Sequence, residues 1–394
     1  MPTYLSPGVY IEDAPPSARP IAGVGTSIGG FIGVVPNNIE MPTRPGSETA
    51  SYDVAPAGEP QLITSWEEFK NSFGDIRAGN KTLALAIYGF FNNGGTRCWV
   101  TRVAAAAGLN NLADALAAFE PIDEITIVAV PGATSPVQHE AIIAHCTTMK
   151  DRFAILDSIE KPASLTPEAI RGGTAGEGGT TPTGNSAYAA LYFPWIQVFD
   201  PSTEPGSIIN HPPSGHIAGV YARVDGERGV FKAPANEVIR GALGLERRLS
   251  KNHQEGLNPA GINAIRIFDG NIKIWGARTL GGDANSEFKY ISTRRYMNFL
   301  QESIDEGTQW VVFEPNTPDL WQRITRTVED FLLVQWQTGG LFGETPKQAF
   351  FVKCDADTNP PQLRELGQVV TEVGVAIVRP AEFVIFRIQQ LTGS

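Results

Sequence analysis

The feature that most constrains the fold is an alternation of apolar and helix-forming segments in the middle of the chain. Residues 125–130 are a short apolar run, residues 135–149 have the composition of a helix, and residues 153–156 are a second apolar run. A helix between two short strands is typical of a crossover connection, which places the two strands side by side in parallel. The sequence therefore predicts an α/β domain, which we place at residues 101–250.

Strand-like and helix-like segments continue on both sides of this domain. Ser65 is placed to cap a helix that has Glu67 and Glu68 in its first turn and ends at Gly74, because a serine side chain accepts from free amides there and carboxylates favour that end of the helix dipole. Further helices are predicted at residues 81–92, 215–224, 235–243, 292–306 and 319–337. Further strands are predicted at residues 21–36, 97–103, 191–199, 264–268, 272–275, 310–314, 350–354, 372–377 and 383–388. The predicted fold class is α/β with mixed α+β character.

The composition argues against two classes of partner. The chain has 394 residues, of which 42% are apolar, and a formal charge of −11. The apolar fraction suffices for folded cores, whereas the acidic charge is unsuited to direct contact with nucleic acid, since phosphate binding requires a basic surface. The sequence holds no run of about eighteen apolar residues, so we expect no insertion into a membrane.

The cysteines indicate the compartment. Cys98, Cys146 and Cys354 are odd in number and far apart. They fit neither a disulfide framework nor the spacing of metal ligands, and we interpret them as free thiols of a reducing cytoplasm. The sequence shows no secretion signal. We therefore expect a protein that is assembled in the cytoplasm and holds no metal and no cofactor.

One short motif is typical of an enzyme. The segment GTSIG, with Ser27 at its centre, matches the G-x-S-x-G pattern of serine hydrolases. That pattern requires a strand, a sharp turn at the serine and then a helix. Here an apolar segment that is predicted as a strand follows the serine, so the glycines are better explained by close packing of that strand. An α/β hydrolase that uses Ser27 is kept as an alternative function.

The other candidate motifs are incomplete. His145 lies two positions too late to share a zinc site with His139 in the manner of a zinc protease, and His145 and Cys146 are adjacent on a predicted helix, so they point in different directions. The glycine-rich residues 172–184 lack the lysine that a phosphate-binding loop requires. The sequence therefore predicts no catalytic, metal-binding or cofactor-binding residue.

Several separated motifs, in a consistent order, resemble one protein family. They are YLSPGVYIE at residues 4–12, YGFF at 88–91, GGTRCWV at 94–100, GINAIR at 261–266, WGARTL at 275–280, YISTRR at 290–295, EGTQWVVFEPN at 306–316 and PAEFVIFRI at 380–388. In these motifs the chain is similar to the contractile tail sheath proteins of phage tails, R-type bacteriocins and related extracellular injection systems. The resemblance covers both ends of the chain better than its middle third.

The resemblance implies a discontinuous organisation. In this family a conserved core joins an N-terminal segment to the C-terminal domain, and a variable domain is inserted between them. The corresponding segments here are an extended N-terminal arm at 1–20, the N-terminal part of the core at 21–100, an inserted outer α/β domain at 101–250, the conserved C-terminal sheath domain at 251–380 and a C-terminal arm at 381–394.

Both arms contain a short predicted strand. One consists of Val9, Tyr10, Ile11 and Glu12, and the other of Phe383, Val384, Ile385, Phe386, Arg387 and Ile388. A terminal strand exposes unpaired backbone groups until another strand completes it. The sequence is compatible with pairing inside one subunit and with pairing between subunits. The resemblance favours the second, because arms of sheath proteins interlock with the C-terminal domains of adjacent subunits.

The resemblance also implies a structural function without catalysis. Sheath subunits polymerise helically around an inner tube and contract to drive the tube through a target envelope. The implied partners are further copies of the chain, the inner tube protein, and baseplate and terminator or cap proteins. Sheath proteins contact the tube through the C-terminal domain, typically by a helix, so Arg294, Arg295, Arg323 and Arg326 are candidate tube contacts or else solvent-exposed helix charges. Another self-assembling tail or capsid component is the remaining alternative.

Overall fold

The structure is a computed structural model that describes residues 20–47, 49–174, 180–203 and 205–387. Its strands are β1 (Gly29–Val34), β2 (Gln61–Ile63), β3 (Cys98–Val103), β4 (Ile127–Ala129), β5 (Phe153–Asp157), β6 (Ala189–Phe193), β7 (Ile196–Asp200), β8 (Ser207–His211), β9 (Glu237–Val238), β10 (Gly244–Leu245), β11 (Ile262–Phe268), β12 (Asn271–Ile274), β13 (Phe350–Lys353) and β14 (Glu372–Val375). Its helices are α1 (Trp66–Phe73), α2 (Lys81–Asn93), α3 (Ala113–Ala117), α4 (Pro136–Met149), α5 (Pro167–Ile170), α6 (Ser214–Arg228), α7 (Lys251–Leu257), α8 (Ile291–Thr308), α9 (Pro318–Gln337), α10 (Pro346–Ala349) and α11 (Pro361–Glu365).

The described residues form two compact units. The larger unit consists of residues 24–301 and 377–387, and the smaller one of residues 20–23 and 302–376. The larger unit is built on a mixed sheet with the strand order β2-β3-β1-β4-β5-β6-β11-β12-β9. Strands β3 to β11 in this order are parallel to their neighbours, and β2, β12 and β9 are added in antiparallel orientation.

The structure confirms the mixed α/β class and the crossover that the sequence predicts. Strands β4 and β5, on either side of α4, lie side by side in parallel, with Ile127 opposite Phe153. Ser65 caps α1 by accepting a hydrogen bond from the Glu68 amide, and the helix ends at Gly74. Ser135 caps α4 in a capping box with Gln138. These helix starts were predictable because a cap depends on neighbouring residues alone.

Apolar side chains cover both faces of the large sheet. Alternate residues of a strand point to opposite faces, and Phe31 belongs to the core cluster that contains α2 and α6, whereas Ile32 belongs to the cluster that contains α4. The sheet is therefore enclosed between two layers of helices, as strands that are buried on both faces require.

Helices α2 and α6 pack with very little space between their backbones. A Cβ atom on Gly215 would lie 2.5 Å from the carbonyl oxygen of Ala86, and one on Gly219 would lie 2.7 Å from Cβ of Asn93. Only glycine permits this approach at these two positions. The packing places α6 firmly on the sheet, and the last turn of α6 carries Asp225.

The large sheet is continuous across the predicted domain limits. Strand β3 includes residue 101, and strands from the segments 21–100, 101–250 and 251–380 all contribute to it. The compact units are instead divided near residues 302 and 376. The physical reason is that parallel strands are joined by hydrogen bonds between segments that are distant in sequence, which a change of composition along the chain does not reveal.

Four predicted elements differ from the structure. The strand predicted at 191–199 is divided into β6 and β7 around Pro194, which has no backbone N–H to donate. The segment 235–243 is not a helix and contains the short strand β9, and the segment 310–314 is a 3₁₀ turn followed by a bend rather than a strand. In the C-terminal arm, residues 383–387 are described and form no strand.

The smaller unit combines α9 with a two-stranded antiparallel sheet. Helix α9 buries an apolar stripe, namely Leu320, Ile324, Val328, Phe331 and Leu332. Strands β13 and β14 pair with Phe351 opposite Gly374. The loop between them is held by Asn359, whose side chain donates to the carbonyl of Val370 at 3.0 Å and accepts from its amide at 2.7 Å. No third strand joins this sheet among the residues described here.

Candidate functional site

The C-terminal segment exposes a continuous apolar run. Phe383, Val384, Ile385 and Phe386 are 70%, 69%, 79% and 83% exposed. Four consecutive large apolar side chains in water are unfavourable, because burial of each one would contribute about 1.5–3 kcal/mol. Such a run is typical of a segment that is covered by a partner. Ile388 and the predicted N-terminal strand Val9, Tyr10, Ile11 and Glu12 lie outside the described residues.

The residue immediately before this run is held tightly. Both carboxylate oxygens of Glu382 contact Arg278, with Nε to Oε1 at 2.7 Å and Nη2 to Oε2 at 2.9 Å. Asn258 donates to Oε1 at 2.8 Å and the hydroxyl of Tyr290 donates to Oε2 at 3.0 Å. Burial opposes ionisation of Glu382, but the hydrogen bonds from Arg278 and Asn258 outweigh it and lower the pKa of this carboxyl. Glu382 and Arg278 both lie in the family motifs, but the sequence did not indicate that they pair.

The small sheet offers a second apolar surface. Phe351 on β13 is exposed on one face of this sheet, and Val373 on β14, which lies opposite Val352, is exposed on the other face. The β13–β14 pair remains a two-stranded sheet among the described residues, so no third strand covers either of its edges there. An uncovered sheet edge is suited to the addition of a strand.

Arg294 is buried, contrary to the expectation that it is exposed. Its guanidinium stacks on the ring of Phe288, 3.3 Å from the centroid, and on that of Tyr188, 4.5 Å away. Its Nη1 also donates to the hydroxyl of Tyr188 at 3.1 Å. The side chain is therefore used inside the subunit, where cation–π contacts replace contact with water.

Arg295 is buried as well and forms an ion pair. Its Nη1 and Nη2 lie 2.9 and 2.6 Å from the two carboxylate oxygens of Asp225, and Nη2 also donates to the carbonyl of Thr26 at 2.8 Å. Thr26 Oγ1 donates back to Asp225 at 2.8 Å. The arrangement joins the segment before β1 to α6 and α8. The sequence did not indicate that Arg295 is buried, because the residues that it contacts come from distant segments of the chain.

Arg323 and Arg326 lie on α9 with different surroundings. Arg323 is partly exposed, lies over the ring of Trp310 at 4.6 Å and is 3.5 Å from the carboxylate of Glu314. Arg326 is exposed. Of the four arginines that the sequence suggested for contact with a tube, only these two are accessible to solvent in the single subunit. The prediction of a tube contact therefore depends on Arg323 and Arg326.

Ser27 lacks the surroundings of a nucleophile elbow. It lies in an irregular segment, and strand β1 begins two residues later at Gly29. A nucleophile elbow would require a helix after the serine. Close packing explains only the second glycine of the motif: a Cβ atom on Gly29 would lie 2.5 Å from the ring of Phe31, whereas the nearest neighbour of one on Gly25 would be Ile28 at 3.9 Å.

The buried histidines serve packing. His139 contacts Thr183 Oγ1 at 2.8 Å and the carbonyls of Ala133 and Asp157 at 3.0 and 3.1 Å. His211 and His216 are buried with their rings in edge contact. Burial lowers the pKa of His216 to about 4, so this ring is neutral at pH 7.

The glycine-rich residues 172–184 are described only at 172–174 and 180–184.

The cysteines are free and buried. Cys98, Cys146 and Cys354 form no disulfide, and burial raises the pKa of the Cys98 and Cys146 thiols well above the usual range. These two thiols are therefore unreactive at neutral pH.

Among the helices in the described part of the chain, none combines the length and the apolar character needed to cross a membrane.

Comparison with known proteins gives a consistent result over almost the whole chain. Residues 105–280 match the family model of the phage tail sheath protein central domain, and residues 283–390 match that of the phage tail sheath C-terminal domain. A prophage major tail sheath protein of Pseudomonas aeruginosa (strain UCBPP-PA14) is 28% identical over 202 residues, which are 50% of this chain and 50% of that protein. The aligned part thus spans about half the length of this curated relative.

Solved structures extend the similarity. The helical sheath of the anti-feeding prophage (AFP) in its contracted state is 30% identical, with a TM-score of 0.76 over 98% of this chain and 100% of the other. The sheath of the extracellular contractile injection system PVC in its contracted state is 27% identical, with a TM-score of 0.73 over 99% of each chain. Together with the exposed terminal run and the shared motifs, these matches show that the chain belongs to the family of contractile tail sheath proteins, which is a family of structural proteins.

Proposed function

We propose that this chain is the repeating subunit of a contractile sheath, which polymerises helically around an inner tube and contracts to drive the tube through a target envelope. The observation that carries the proposal is the similarity, over nearly all residues of both chains, to sheaths of the AFP and PVC particles in the contracted state. A structural role is also consistent with Ser27, which lies before a strand rather than in a catalytic turn.

The exposed C-terminal run is the proposed link between subunits. An extended segment joins a sheet by main-chain hydrogen bonds, and alternate side chains determine its register. Residues 383–387 form no strand in the subunit, and β13–β14 is a small sheet with exposed Phe351. We assign the β13–β14 sheet of a neighbouring copy as the acceptor of this arm, and residues 9–12 as a second arm strand.

The two surfaces of this contact differ, since an arm binds a sheet. Unless two copies exchange their arms, a contact between unlike surfaces is heterologous and propagates into rings or helices. Repetition of the contact would therefore produce the helical array of a sheath. Assembly is proposed to take place in the bacterial cytoplasm, with baseplate and terminator or cap proteins at the two ends of the array.

Contact with the inner tube is assigned to α9. Arg326 is exposed and Arg323 is partly exposed on this helix, whereas the guanidinium groups of Arg294 and Arg295 are used within the subunit. Two accessible cations on one helix fit an acidic surface on the tube, because complementary charge directs the orientation of binding.

The proposal is tested by negative-stain electron microscopy of the purified chain, alone and mixed with tubes of the inner tube protein. Hollow, cross-striated cylinders in either sample are expected. A chain that lacks residues 1–20 is expected to stay soluble and folded and to form no cylinders. A full-length chain that remains monomeric at high concentration and also in the presence of tubes would contradict the proposed function, and long regular polymers of the truncated chain would contradict the role of the N-terminal arm.

A further inference from the structure

Side-chain exposure rises sharply between Glu382 and Phe383, where the exposed C-terminal run begins. The side chain of Glu382 is 19% exposed, and Phe383, the next residue, is 70% exposed. The four hydrogen bonds to the Glu382 carboxylate come from Arg278, Asn258 and Tyr290. A carboxylate that is engaged at both oxygens by a planar guanidinium is restricted in direction as well as in distance. The ion pair with Arg278 therefore fixes both the position and the direction of the chain where the exposed run begins.

Arg278 is itself immobilised on the large sheet. Its side chain is buried, and Nη1 donates to the carbonyl of Asn258 at 3.0 Å and to Asp283 at 3.1 Å. Its backbone is held by Asn263 on β11, which accepts from the Arg278 amide at 2.8 Å and donates to the Arg278 carbonyl at 2.8 Å. An unbroken series of hydrogen bonds thus leads from the large sheet through Asn263 and Arg278 to Glu382.

The tight approach to Asn263 depends on the neighbouring glycine. A Cβ atom on Gly276 would lie 2.8 Å from Oδ1 of Asn263 and 2.9 Å from its Cα. The segment 276–278 is therefore packed directly against β11, which restricts the movement of Arg278. The load on the arm would be transmitted to the sheet through the ion pair.

We propose that Glu382 and Arg278 are positioning residues for assembly: their ion pair sets the direction in which the C-terminal arm leaves the subunit, so that residues 383–387 reach a second copy of the chain in a single register. This inference rests on the proposed function of the arm. Register matters because a shift of one residue would reverse which side chains of the arm face the acceptor sheet.

The first experiment compares assembly of four chains: the parent, Glu382→Gln, Glu382→Asp and a chain that lacks residues 383–394. Glu382→Gln keeps the shape of the side chain and removes its charge, whereas Glu382→Asp keeps the charge. The critical concentration for polymer formation, measured by sedimentation, is expected to rise at least about tenfold in Glu382→Gln and less in Glu382→Asp. The far-ultraviolet circular dichroism should be the same in all four. Glu255→Gln is the matched control, since Glu255 forms an exposed pair with Lys251 at 3.8 Å.

The second experiment measures the direction of the arm in monomers. The native cysteines are buried, so spin labels attach to cysteines introduced by Phe383→Cys and Glu227→Cys, both in the larger unit. The parent should give a narrow distribution of distances between the labels, and the same pair combined with Glu382→Gln should give a broad one. A role of Glu382 in stability alone would change the melting temperature without broadening the distribution. Equal widths in the two proteins would overturn the positioning role.

The two proposals fail in different ways. If the chain that lacks residues 383–394 polymerises like the parent, the proposed function of the arm is wrong. If that deletion prevents assembly but Glu382→Gln assembles at the concentration of the parent, the arm is required and the positioning by Glu382 is wrong.

Discussion

Arg295 and Asp225 form a bidentate ion pair in the interior of the larger unit, with their side chains 3% and 2% exposed. The pair joins α8 to the last turn of α6, and Thr26 completes it by accepting from Arg295 and donating to Asp225. Both charges are removed from water, so each one depends on the other for compensation.

The first prediction concerns this pair. Asp225→Asn or Arg295→Met should lower the free energy of unfolding by about 3–5 kcal/mol, because each leaves a buried polar partner without its counterpart. Urea unfolding followed by circular dichroism measures the loss. The control Glu255→Ala, in an exposed pair, should change it by about 0.5 kcal/mol or less. A loss in Asp225→Asn as small as that of the control would mean that water reaches the pair.

The second prediction concerns Arg326. Arg326→Glu should weaken binding of the chain to tubes of the inner tube protein by about fivefold, as expected for one reversed surface charge at an interface. Cosedimentation with tubes measures the binding. Arg248→Glu makes the same charge change at another exposed position and should have no effect. Equal binding of the two variants would exclude Arg326 as a tube contact.

The third prediction concerns pH. Burial lowers the pKa of His139 to about 4, and hydrogen bonds to the carbonyls of Ala133 and Asp157 offset this only in part. In the unfolded chain the ordinary value near 6.5 applies, so between about pH 6.5 and about pH 4 the unfolded state binds a proton that the folded state does not. The contribution of neutral His139 to stability is therefore present above that range and is lost as the pH falls through it. His145 and His216, whose pKa is also lowered to about 4 by burial, act in the same direction.

Replacement of His139 tests this. The free energy of unfolding, measured in urea at about pH 7 and about pH 4.5, should decrease less in His139→Gln than in the parent, by up to about 3 kcal/mol. The exposed His253 supplies the control, because His253→Gln preserves the capping box with Ser250. The same decrease in His139→Gln and in the parent would show that the ring is not kept neutral by burial.

The fourth prediction concerns two glycines. Gly261 has a φ of 77°, and a Cβ atom there would overlap the carbonyl of Thr279 and lie 2.6 Å from the amide of Gly282. Gly261→Ala should therefore lower the free energy of unfolding by about 2–4 kcal/mol. Gly256 lies in α7 with open space around it, and Gly256→Ala should instead raise it by about 0.5–1 kcal/mol. Thermal unfolding of the two variants should therefore shift in opposite directions.

Local signals gave reliable predictions. The cap at Ser65, the helix at 319–337 and the crossover between β4 and β5 are all confirmed. Two of the failures, at residues 310–314 and 383–387, involve segments whose composition suits a strand but whose surroundings do not. Residues 310–314 are rich in β-branched and aromatic residues, yet Phe313 has a φ of 69° and is fully exposed, since no other strand in the described residues pairs with this segment.

The sequence by itself determined the α/β class, the cap of α1 and the family, because caps, periodicity and motifs are properties of neighbouring residues. Only the tertiary structure decided which charges are available for assembly. Arg294, Arg295 and Arg326 look alike on their predicted helices, but Arg295 meets Asp225, 70 residues away in sequence, and Glu382 meets Arg278 across 104 residues. Burial of a charge depends on the segment that packs over it, and that segment comes from elsewhere in the chain.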